Sequence, residues 1–284
     1  MKIGVVFPQT EIGADPDVVA KFASTAESLG YDHLLAYDHV LGANTASRPD
    51  WRGPYTAESM FQEPLVLFSY LAGLTTTIEL VTAVIILPQR QTALVAKQAA
   101  CVDVLSKGRL RLGVGTGWNE VEYEALGANF HDRGLRSEEQ IDLLRQLWRD
   151  DAISFTGEHH KITDAGLNPL PINRNIPIWL GGMAPQVIDR VGRLADGWFP
   201  FVNKDLSTQI GQIQASARNA GRDPASIGIE CMIPANTDAE RVKRLQDMGV
   251  THVALVTMNQ ELADPAAHLD AISRGRDTLA EALI

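Results

Sequence analysis

Short apolar runs recur along the whole chain, and segments with helix-like patterning separate them. Most of these runs are almost continuously hydrophobic and do not alternate between apolar and polar positions. Strands that are buried on both faces have this pattern, as in a parallel sheet covered by helices. Eight runs have the length of a strand: residues 2–7, 33–36, 79–87, 109–115, 176–182, 196–201, 227–233 and 252–258. The sequence therefore predicts eight strands of a parallel sheet.

Capping signals predict helices between the runs. Asp15 followed by Pro16 is typical of a helix start, and Gly30 is placed to end that helix. Ser137 and Thr237 each stand three residues before a Gln or Glu, which is the pattern of a capping box. We therefore expect helices to begin near these four polar and proline positions.

Eight strands that alternate with helices favour a (β/α)₈ barrel over a doubly wound open sheet. No change in composition marks a linker, so residues 1–284 are predicted to form a single α/β domain. The long stretches at about 40–60, 118–136 and 152–175 are irregular, and we interpret them mainly as insertions in strand-to-helix loops. Catalytic groups of such barrels lie at the carboxyl ends of the strands, so the functional side chains are expected at those ends.

Composition and charge exclude several classes of protein. A hydrophobic fraction of 45% and a charged fraction of 21% are ordinary for a globular protein and exclude disorder. The net charge of −10 argues against a nucleic-acid or anionic-membrane binder. Two widely separated cysteines and the lack of a long apolar segment indicate a cytoplasmic protein, without disulfides or a membrane span.

The second strand ends with Asp38 and His39. A histidine beside an aspartate at this position can donate or accept a proton, because imidazole titrates near neutral pH. A loop histidine that caps backbone groups would have the same local sequence. Both interpretations remain open on these residues alone.

The fourth strand runs into Gly115-Thr116-Gly117 and then Trp118. The glycines do not complete the G-x-G-x-x-G fingerprint of dinucleotide binding. They do permit the close approach of a flat ligand or a phosphate. Trp118 is expected to wall a pocket for a ring, or alternatively to plug the mouth of the barrel.

The fifth strand ends at Gly181-Gly182-Met183, and Pro185 follows in the first turn of a predicted helix. Free amides at a helix start can bind a phosphate group. A tight strand-to-helix turn without a ligand would also need these glycines.

No metal site is predicted. His131 and the run Glu158-His159-His160 lack the spacing of known metal motifs and are interpreted as surface loop residues. The chain has neither a G-x-S-x-G nucleophile elbow nor a Walker lysine motif. Their absence argues against a serine hydrolase and against a P-loop nucleotide triphosphatase.

Four pieces of sequence, in order, carry a resemblance to a known family: YDHV, VTAVIILPQRQTALVAKQAACVDVLSKGRL, LGVGTGWNEVEYEALG and IPIWLGG…RLADGWFP. Over essentially its whole length the chain resembles the luciferase-like monooxygenase superfamily, in the branch that uses the deazaflavin coenzyme F420. Enzymes that use flavin mononucleotide (FMN) share much of this framework.

The resemblance implies a barrel whose mouth holds the tricyclic ring of a deazaflavin or flavin. It implies a cis peptide bond between Ala83 and Val84 behind the ring, with Asp38 and His39 near the reactive edge. The residues implied to bind the cofactor are Asp38, Thr82, Ala83, Val84, Gly115, Thr116, Gly117, Gly181, Gly182 and Met183.

Trp118 and Tyr123 are expected in the substrate pocket. Sugar-phosphate dehydrogenases of the same branch have an acidic residue where this chain has Trp118. This departure argues against the sugar-phosphate reaction and implies a more apolar mouth.

The function predicted from the sequence is hydride transfer between coenzyme F420 and a small organic substrate. His39 is expected to handle the proton and Asp38 to tune it, whereas Glu122 and Tyr123 are rival candidates. The alternatives are an FMN-dependent monooxygenase and a barrel that binds the cofactor without turnover.

The expected partners are small molecules, and a homodimer is left open. Because the tail of coenzyme F420 is acidic and the protein has a net charge of −10, a local basic patch is expected. Arg52, Arg133 and Arg136 in the long loops are the candidates.

Overall fold

The computed structural model describes residues 1–282 and contains a closed barrel of parallel strands. The strands are β1 (Lys2–Val6), β2 (His33–Ala36), β3 (Glu79–Thr82), β4 (Ile85–Ile86), β5 (Leu110–Gly115), β6 (Ile153–Thr156), β7 (Lys161–Ala165), β8 (Ile178–Gly181), β9 (Gly197–Phe199), β10 (Gly228–Pro234) and β11 (His252–Val256). Parallel pairing runs from β1 through β2, β3, β5, β8, β9, β10 and β11 back to β1. The predicted (β/α)₈ barrel is confirmed, with β4 continuing the third strand alongside β5.

Helices surround the barrel: α1 (Pro16–Ser28), α2 (Pro64–Ala72), α3 (Thr92–Leu105), α4 (Glu120–Ala125), α5 (Arg133–Arg149), α6 (Pro185–Leu194), α7 (Leu206–Asn219), α8 (Ala239–Asp247) and α9 (Pro265–Ala282). Asp15 caps α1 as predicted, by accepting from a backbone N–H. The predicted helix start at Ser137 is wrong, because this serine is buried inside α5 and packing extends the helix by another turn. The cap of α8 is Asp238, one residue after the predicted Thr237.

Residues 152–175 are expected from the sequence to be irregular, but part of this stretch has regular structure. It contains the antiparallel hairpin β6–β7, which lies outside the barrel between α5 and β8. At its tip, His160 bonds to Glu139 of α5 and to Thr92 of α3. This insertion therefore lies in a helix-to-strand connection, while the other two long loops do follow strands β2 and β5.

The break between β3 and β4 is the position of the predicted cis peptide bond. The non-proline bond between Ala83 and Val84 is cis, as the family resemblance implied. This break brings Val84 to the carboxyl ends of the strands, where the mouth of the barrel lies.

A cluster of charged side chains fills the barrel near the amino ends of its strands. The fully buried carboxylate of Glu230 lies 2.7 Å from Arg111 and 2.5 Å from the Nε2 atom of His33. Arg111 also pairs with Glu79 at 2.9 Å and lies over the ring of Trp179. Burial alone would raise the pKa of Glu230, but the facing His33 and Arg111 lower it to about 2. Glu230 is therefore ionised and balances a buried guanidinium.

Replacing Glu230 with Gln should lower the free energy of unfolding by about 3–5 kcal/mol, because Arg111 would keep a buried charge without its closest partner. Folding lowers the pKa of Glu230, so its stabilisation is complete above the unfolded value near 4.5 and is lost as the pH falls towards 2. Urea unfolding of the native protein and the variant at pH values from about 7 down to about 3 measures this difference, because the loss begins near the unfolded value of 4.5.

The matched control is Glu240→Gln, which removes an exposed carboxylate that pairs with Arg244 on α8. Its cost should stay below about 1 kcal/mol. Equal costs for the two variants would contradict the role given to the buried cluster.

Candidate functional site

A cavity of about 390 Å³ opens at the carboxyl ends of the barrel strands. This volume is in the usual range for small-molecule sites, about 300–1,000 Å³. The predicted site residues that line it are Asp38, His39, Ala83, Val84, Gly115, Thr116, Gly117, Trp118, Gly181 and Gly182. The topology therefore gathers the ends of β2, β3, β5 and β8 around one cavity.

The glycines of β5 and β8 accommodate the turn at Val84. A Cβ atom on Gly115 would lie 2.6 Å from a methyl carbon of Val84, and one on Gly181 would lie 3.1 Å from the other methyl. Gly117 has a φ of +67°, and a Cβ there would lie 2.6 Å from Ile86. These glycines are therefore needed for the close packing of Val84 and Ile86 in the wall of the cavity.

The turn after β8 exposes the amino end of α6 beside this wall. Gly182 has a φ of +123°, and its carbonyl accepts from the indole of Trp198 at 2.8 Å. No side chain caps α6, which begins at Pro185. The thioether of Met183 accepts from the backbone N–H of Phe201, and Met183 is not among the residues that line this cavity. Uncapped amides at the start of a helix favour an anion such as a phosphate.

His39 is held within a group of aromatic side chains. Its ring centroid is 4.7 Å from that of Tyr55, 4.8 Å from Phe61 and 5.6 Å from Trp118. Its Nδ1 atom lies 3.2 Å from the carboxylate of Glu122. Among the described residues Nε2 has no hydrogen-bond partner, and it is not sealed from solvent. His39 therefore has one free ring nitrogen, and the residue lines both this cavity and a second one of about 280 Å³.

Glu122 fixes the ring of His39 from behind. The carboxylate is 1% exposed and also accepts from the backbone N–H groups of Val40 at 2.7 Å and Leu41 at 3.2 Å. Burial would raise the pKa of Glu122, but the hydrogen bonds from His39 and these two amides hold it below its usual value. An ionised carboxylate only accepts hydrogen bonds, so the proton of neutral His39 lies on Nδ1. Glu122 was predicted as a rival to His39 for the role of acid or base. Its contacts show that it holds the ring of His39 in place.

Asp38 anchors the wall of the cavity. One of its oxygens lies 2.7 Å from the guanidinium of Arg90, and the other accepts from the backbone N–H of Ile86 at 3.0 Å. Burial raises the pKa of Asp38, and Arg90 and the Ile86 amide oppose that rise. Asp38 and Glu63 together raise the pKa of Arg90, which keeps its charge. Because both oxygens of Asp38 are occupied, the geometry favours an anchoring role over a catalytic one.

Thr82 and Tyr123 do not line the cavity. The hydroxyl of Thr82 donates to the carbonyl of Gly113, and the hydroxyl of Tyr123 donates to the carbonyl of Thr116, both at 2.7 Å. Tyr123 is turned inward by α4 and packs edge-on against Phe130. Both side chains support the strand ends from behind. Tyr123 was predicted to line the substrate pocket, but it does not line this cavity.

Six residues that line the cavity were not predicted from the sequence: Tyr37, Tyr55, Ile86, Phe199, Phe201 and Met232. Phe199 and Phe201 follow β9, whose run of aromatic residues was assigned to strand structure alone. Tyr55 lies in the long loop after β2, where no local pattern indicates that the chain returns to the mouth of the barrel.

The three predicted basic residues lie outside this cavity. Arg52 is exposed and bonds to carbonyls of its own loop, and Arg133 lies over the ring of Phe130. Arg136 lines a neighbouring cavity of about 470 Å³ between α3, α5 and the hairpin. Recruitment of an acidic coenzyme by these residues stays a prediction.

The loop histidines are engaged in tertiary contacts. His160 bonds to Glu139 at 2.6 Å, and His159 lies 3.9 Å from Asp132. Within residues 1–282, no group of three or more His, Cys, Asp or Glu side chains is placed to hold a metal ion. The helices in that range include none that is long and apolar enough to cross a membrane.

Comparisons with known proteins find relatives of similar sequence and a solved structure with the same fold. A protein of Mycobacterium tuberculosis (strain H37Rv) without an assigned function is 33% identical over 256 residues, which cover 87% of each chain. An FMNH₂-dependent dimethylsulfone monooxygenase of Pseudomonas fluorescens is 30% identical over 80% of this chain and 60% of its own length. The solved structure of an F420-dependent secondary alcohol dehydrogenase with an F420–acetone adduct shares the fold, with a TM-score of 0.80, 18% identity and 98% coverage of both chains.

The model of the luciferase-like monooxygenase family matches residues 1–281, which is nearly the whole chain. The matched residues include those of the cis bond and those that line the cavity at the carboxyl ends of the strands. The chain belongs to the luciferase-like monooxygenase family.

Proposed function

We propose that the protein is a coenzyme F420-dependent oxidoreductase that moves a hydride between the deazaflavin and a small organic substrate. Its family comprises oxidoreductases and monooxygenases, and relatives that use F420 and FMN both occur. The observation that carries the proposal is the free Nε2 of His39, which Glu122 fixes in a cavity whose wall has glycines packed against Val84 and Ile86. Hydride transfer to or from an oxygen-bearing carbon needs such a proton-transfer group.

The cavity fits a flat ring with an anionic side chain. The ring would lie against Val84, whose methyl groups pack closely on Gly115 and Gly181. The phosphate would lie on the amides after Gly181 and Gly182, at the uncapped end of α6. The bound coenzyme would supply a two-electron hydride carrier, and the protein would supply orientation and proton transfer.

His39 would act at the oxygen of the substrate. As an alcohol loses its hydride, the hydroxyl proton passes to Nε2 of His39, and in the reverse direction Nε2 returns the proton to the carbonyl oxygen. Glu122 would stabilise the positive imidazolium through Nδ1, 3.2 Å away. Tyr55 and Trp118 would limit the access of water to the imidazole of His39, because both pack against it.

An FMN-dependent monooxygenase is the second candidate. The specific observation in its favour is the 30% identity to the FMNH₂-dependent dimethylsulfone monooxygenase. A barrel that binds the cofactor without turnover is the third, and activity measurements separate it from the other two.

Parallel titrations of the purified protein with coenzyme F420 and with FMN test the choice of cofactor. Coenzyme F420 should bind at least about tenfold more tightly, a difference of about 1.4 kcal/mol, as measured by quenching of cofactor fluorescence. Tighter binding of FMN would contradict the proposal and favour the monooxygenase.

Two glycine variants make this titration specific to the site. Gly182→Ala should weaken cofactor binding by about tenfold or more, because a Cβ at a φ of +123° displaces the turn that holds the phosphate. Gly221→Ala adds a Cβ at a φ of +72° in open space after α7 and should leave binding unchanged. Equal affinity for the two variants would contradict the placement of the phosphate.

His39→Ala should cut the F420-dependent oxidation of a small probe alcohol, such as cyclohexanol, about 10²-fold, because the substitution removes the proton-transfer group. The affinity for the coenzyme should stay nearly intact. His131→Ala is the matched control, since His131 lies in the exposed loop before α5. Steady-state rates and coenzyme titrations measure the two effects separately. Normal turnover with weakened coenzyme binding would make His39 a residue that positions the cofactor.

A further inference from the structure

A cavity of about 470 Å³ lies between α3, α5 and the hairpin β6–β7, and we call it the hairpin cavity. Among the described residues, it shares no lining residue with the cavity at the strand ends, which is the space proposed for the coenzyme. Arg90 lines the hairpin cavity and pairs at 2.7 Å with Asp38, which lines the other cavity. The hairpin cavity is therefore a separate space on the far side of this ion pair.

The fully charged side chains that line the hairpin cavity are all cationic, namely those of Arg90, Arg136 and Lys161. In the described part of the chain, its lining contains neither Asp nor Glu. Two carboxylates occupy the terminal nitrogens of Arg90, whereas Arg136 has one ion-pair partner, Asp132, at 3.4 Å. Lys161 is exposed and belongs to no ion pair among the described residues. The lining therefore attracts an anion, although the net charge of the protein is −10.

The amino end of α3 adds backbone donors to this lining. The helix spans Thr92–Leu105, and its N-cap Gln91 makes no side-chain hydrogen bond to the first turn. Gln91, Thr92 and Ala93 all line the hairpin cavity. Amides at the uncapped start of a helix carry partial positive charge and favour a bound anion.

Several buried polar atoms of the lining lack a hydrogen-bond partner. Gln89 is only 4% exposed, and among the described residues neither Nε2 nor Oε1 of its amide has a partner. The Nε atom of Arg136 and the Nε2 atom of His159 are buried and unpartnered in the same way. All three residues line the hairpin cavity. Orphaned polar groups in a native structure call for an explanation, and a ligand that supplies the missing bonds is one.

The tip of the hairpin is fixed, so the cavity exists before any ligand binds. The carboxylate of Glu139 accepts from the backbone N–H groups of Glu158 at 2.7 Å and His159 at 3.0 Å. It also lies 2.6 Å from Nδ1 of His160, whose Nε2 is 2.7 Å from the hydroxyl of Thr92. These bonds join the hairpin to α5 and α3, which lowers the cost of ordering the site on binding.

We propose that the hairpin cavity is an oxyanion site, in which Arg136, Lys161 and the start of α3 bind a phosphate or carboxylate group. The amide of Gln89 would donate to a ligand oxygen through Nε2 and accept from a ligand O–H or N–H through Oε1. Free phosphate and the acidic tail of coenzyme F420 share this chemistry, and the experiment distinguishes the two sources. The site is separate from the turn proposed to hold the coenzyme phosphate and goes beyond the proposed function.

The probe is inorganic phosphate, titrated by calorimetry into the purified full chain at constant ionic strength, with chloride as the balancing anion. Phosphate should bind with a Kd below about 1 mM, because cations and helix amides meet it in a preformed cavity. The titration is repeated on protein saturated with coenzyme F420 and on Gly182→Ala. This variant should leave phosphate binding unchanged, because Gly182 lines only the cavity at the strand ends.

Two variants of the lining make the titration specific to the hairpin cavity. Gln89→Leu keeps the size of the side chain and should weaken phosphate binding about tenfold or more, because it removes the amide. The melting temperature of the ligand-free variant should not fall, since two orphaned polar atoms are lost. Lys161→Gln should weaken binding about threefold to tenfold through the loss of a charge. Its matched control, Lys243→Gln, removes an exposed lysine of α8 and should have no effect.

The outcomes separate the two sources and test the site itself. Phosphate binding that coenzyme F420 leaves unchanged supports a free phosphate as the ligand. Displacement of phosphate by the coenzyme supports its acidic tail as the ligand if Gln89→Leu weakens the binding of both. Displacement with unchanged coenzyme affinity in Gln89→Leu places the phosphate at the strand ends and overturns the site.

Two further results overturn the site: a Kd above about 1 mM, or equal affinity of the native protein, Gln89→Leu and Lys161→Gln for phosphate. Equal losses in Lys161→Gln and Lys243→Gln would also overturn it, because the effect would then come from net charge alone. Phosphate binding that Gln89→Leu weakens, in a protein without affinity for coenzyme F420, supports the site and contradicts only the proposed function.

Discussion

The buried carboxylate of Glu122 is the interaction on which the candidate site depends. It receives hydrogen bonds from the side chain of His39 and from two amides of the loop after β2, although it belongs to α4 after β5. One ionised group therefore joins two distant loops and sets the orientation of an imidazole. Hydrogen bonds to a buried charge are among the stronger ones in proteins, about 1.5–3 kcal/mol each. Loss of this carboxylate would release the loop and the ring together.

A second constraint shapes the wall that faces His39. The ion pair of Asp38 and Arg90 and the amide of Ile86 hold the turn at Val84, and the glycines of β5 and β8 pack against that turn. The packing of this wall therefore has steric causes that are independent of any ligand. A planar cofactor ring and a substrate oxygen near His39 are both consistent with this shape, and they connect the packing of the barrel to the proposed hydride transfer.

The barrel could be predicted because its strands are buried on both faces and appear as continuous apolar runs. The hairpin β6–β7 could not, because its mostly exposed residues leave no hydrophobic pattern. Site residues next to strand ends, such as His39 and Gly182, could be predicted because each directly follows an apolar run. The roles of Asp38 and Glu122 were not, because their partners lie 52 and 83 residues away along the chain. Such pairings follow from barrel closure and have no local signal.

The tautomer of His39 tests the central claim most directly, since Glu122 is held to keep the proton on Nδ1 and Nε2 open to the substrate. Nitrogen-15 NMR of the histidine-labelled protein, with His39 assigned by its loss in His39→Ala, reports this at a pH where the ring is neutral. The account predicts a protonated Nδ1 and a bare Nε2 in the native protein, and a mixture of tautomers in Glu122→Gln. A native ring protonated on Nε2, or one that Glu122→Gln leaves unchanged, would contradict it.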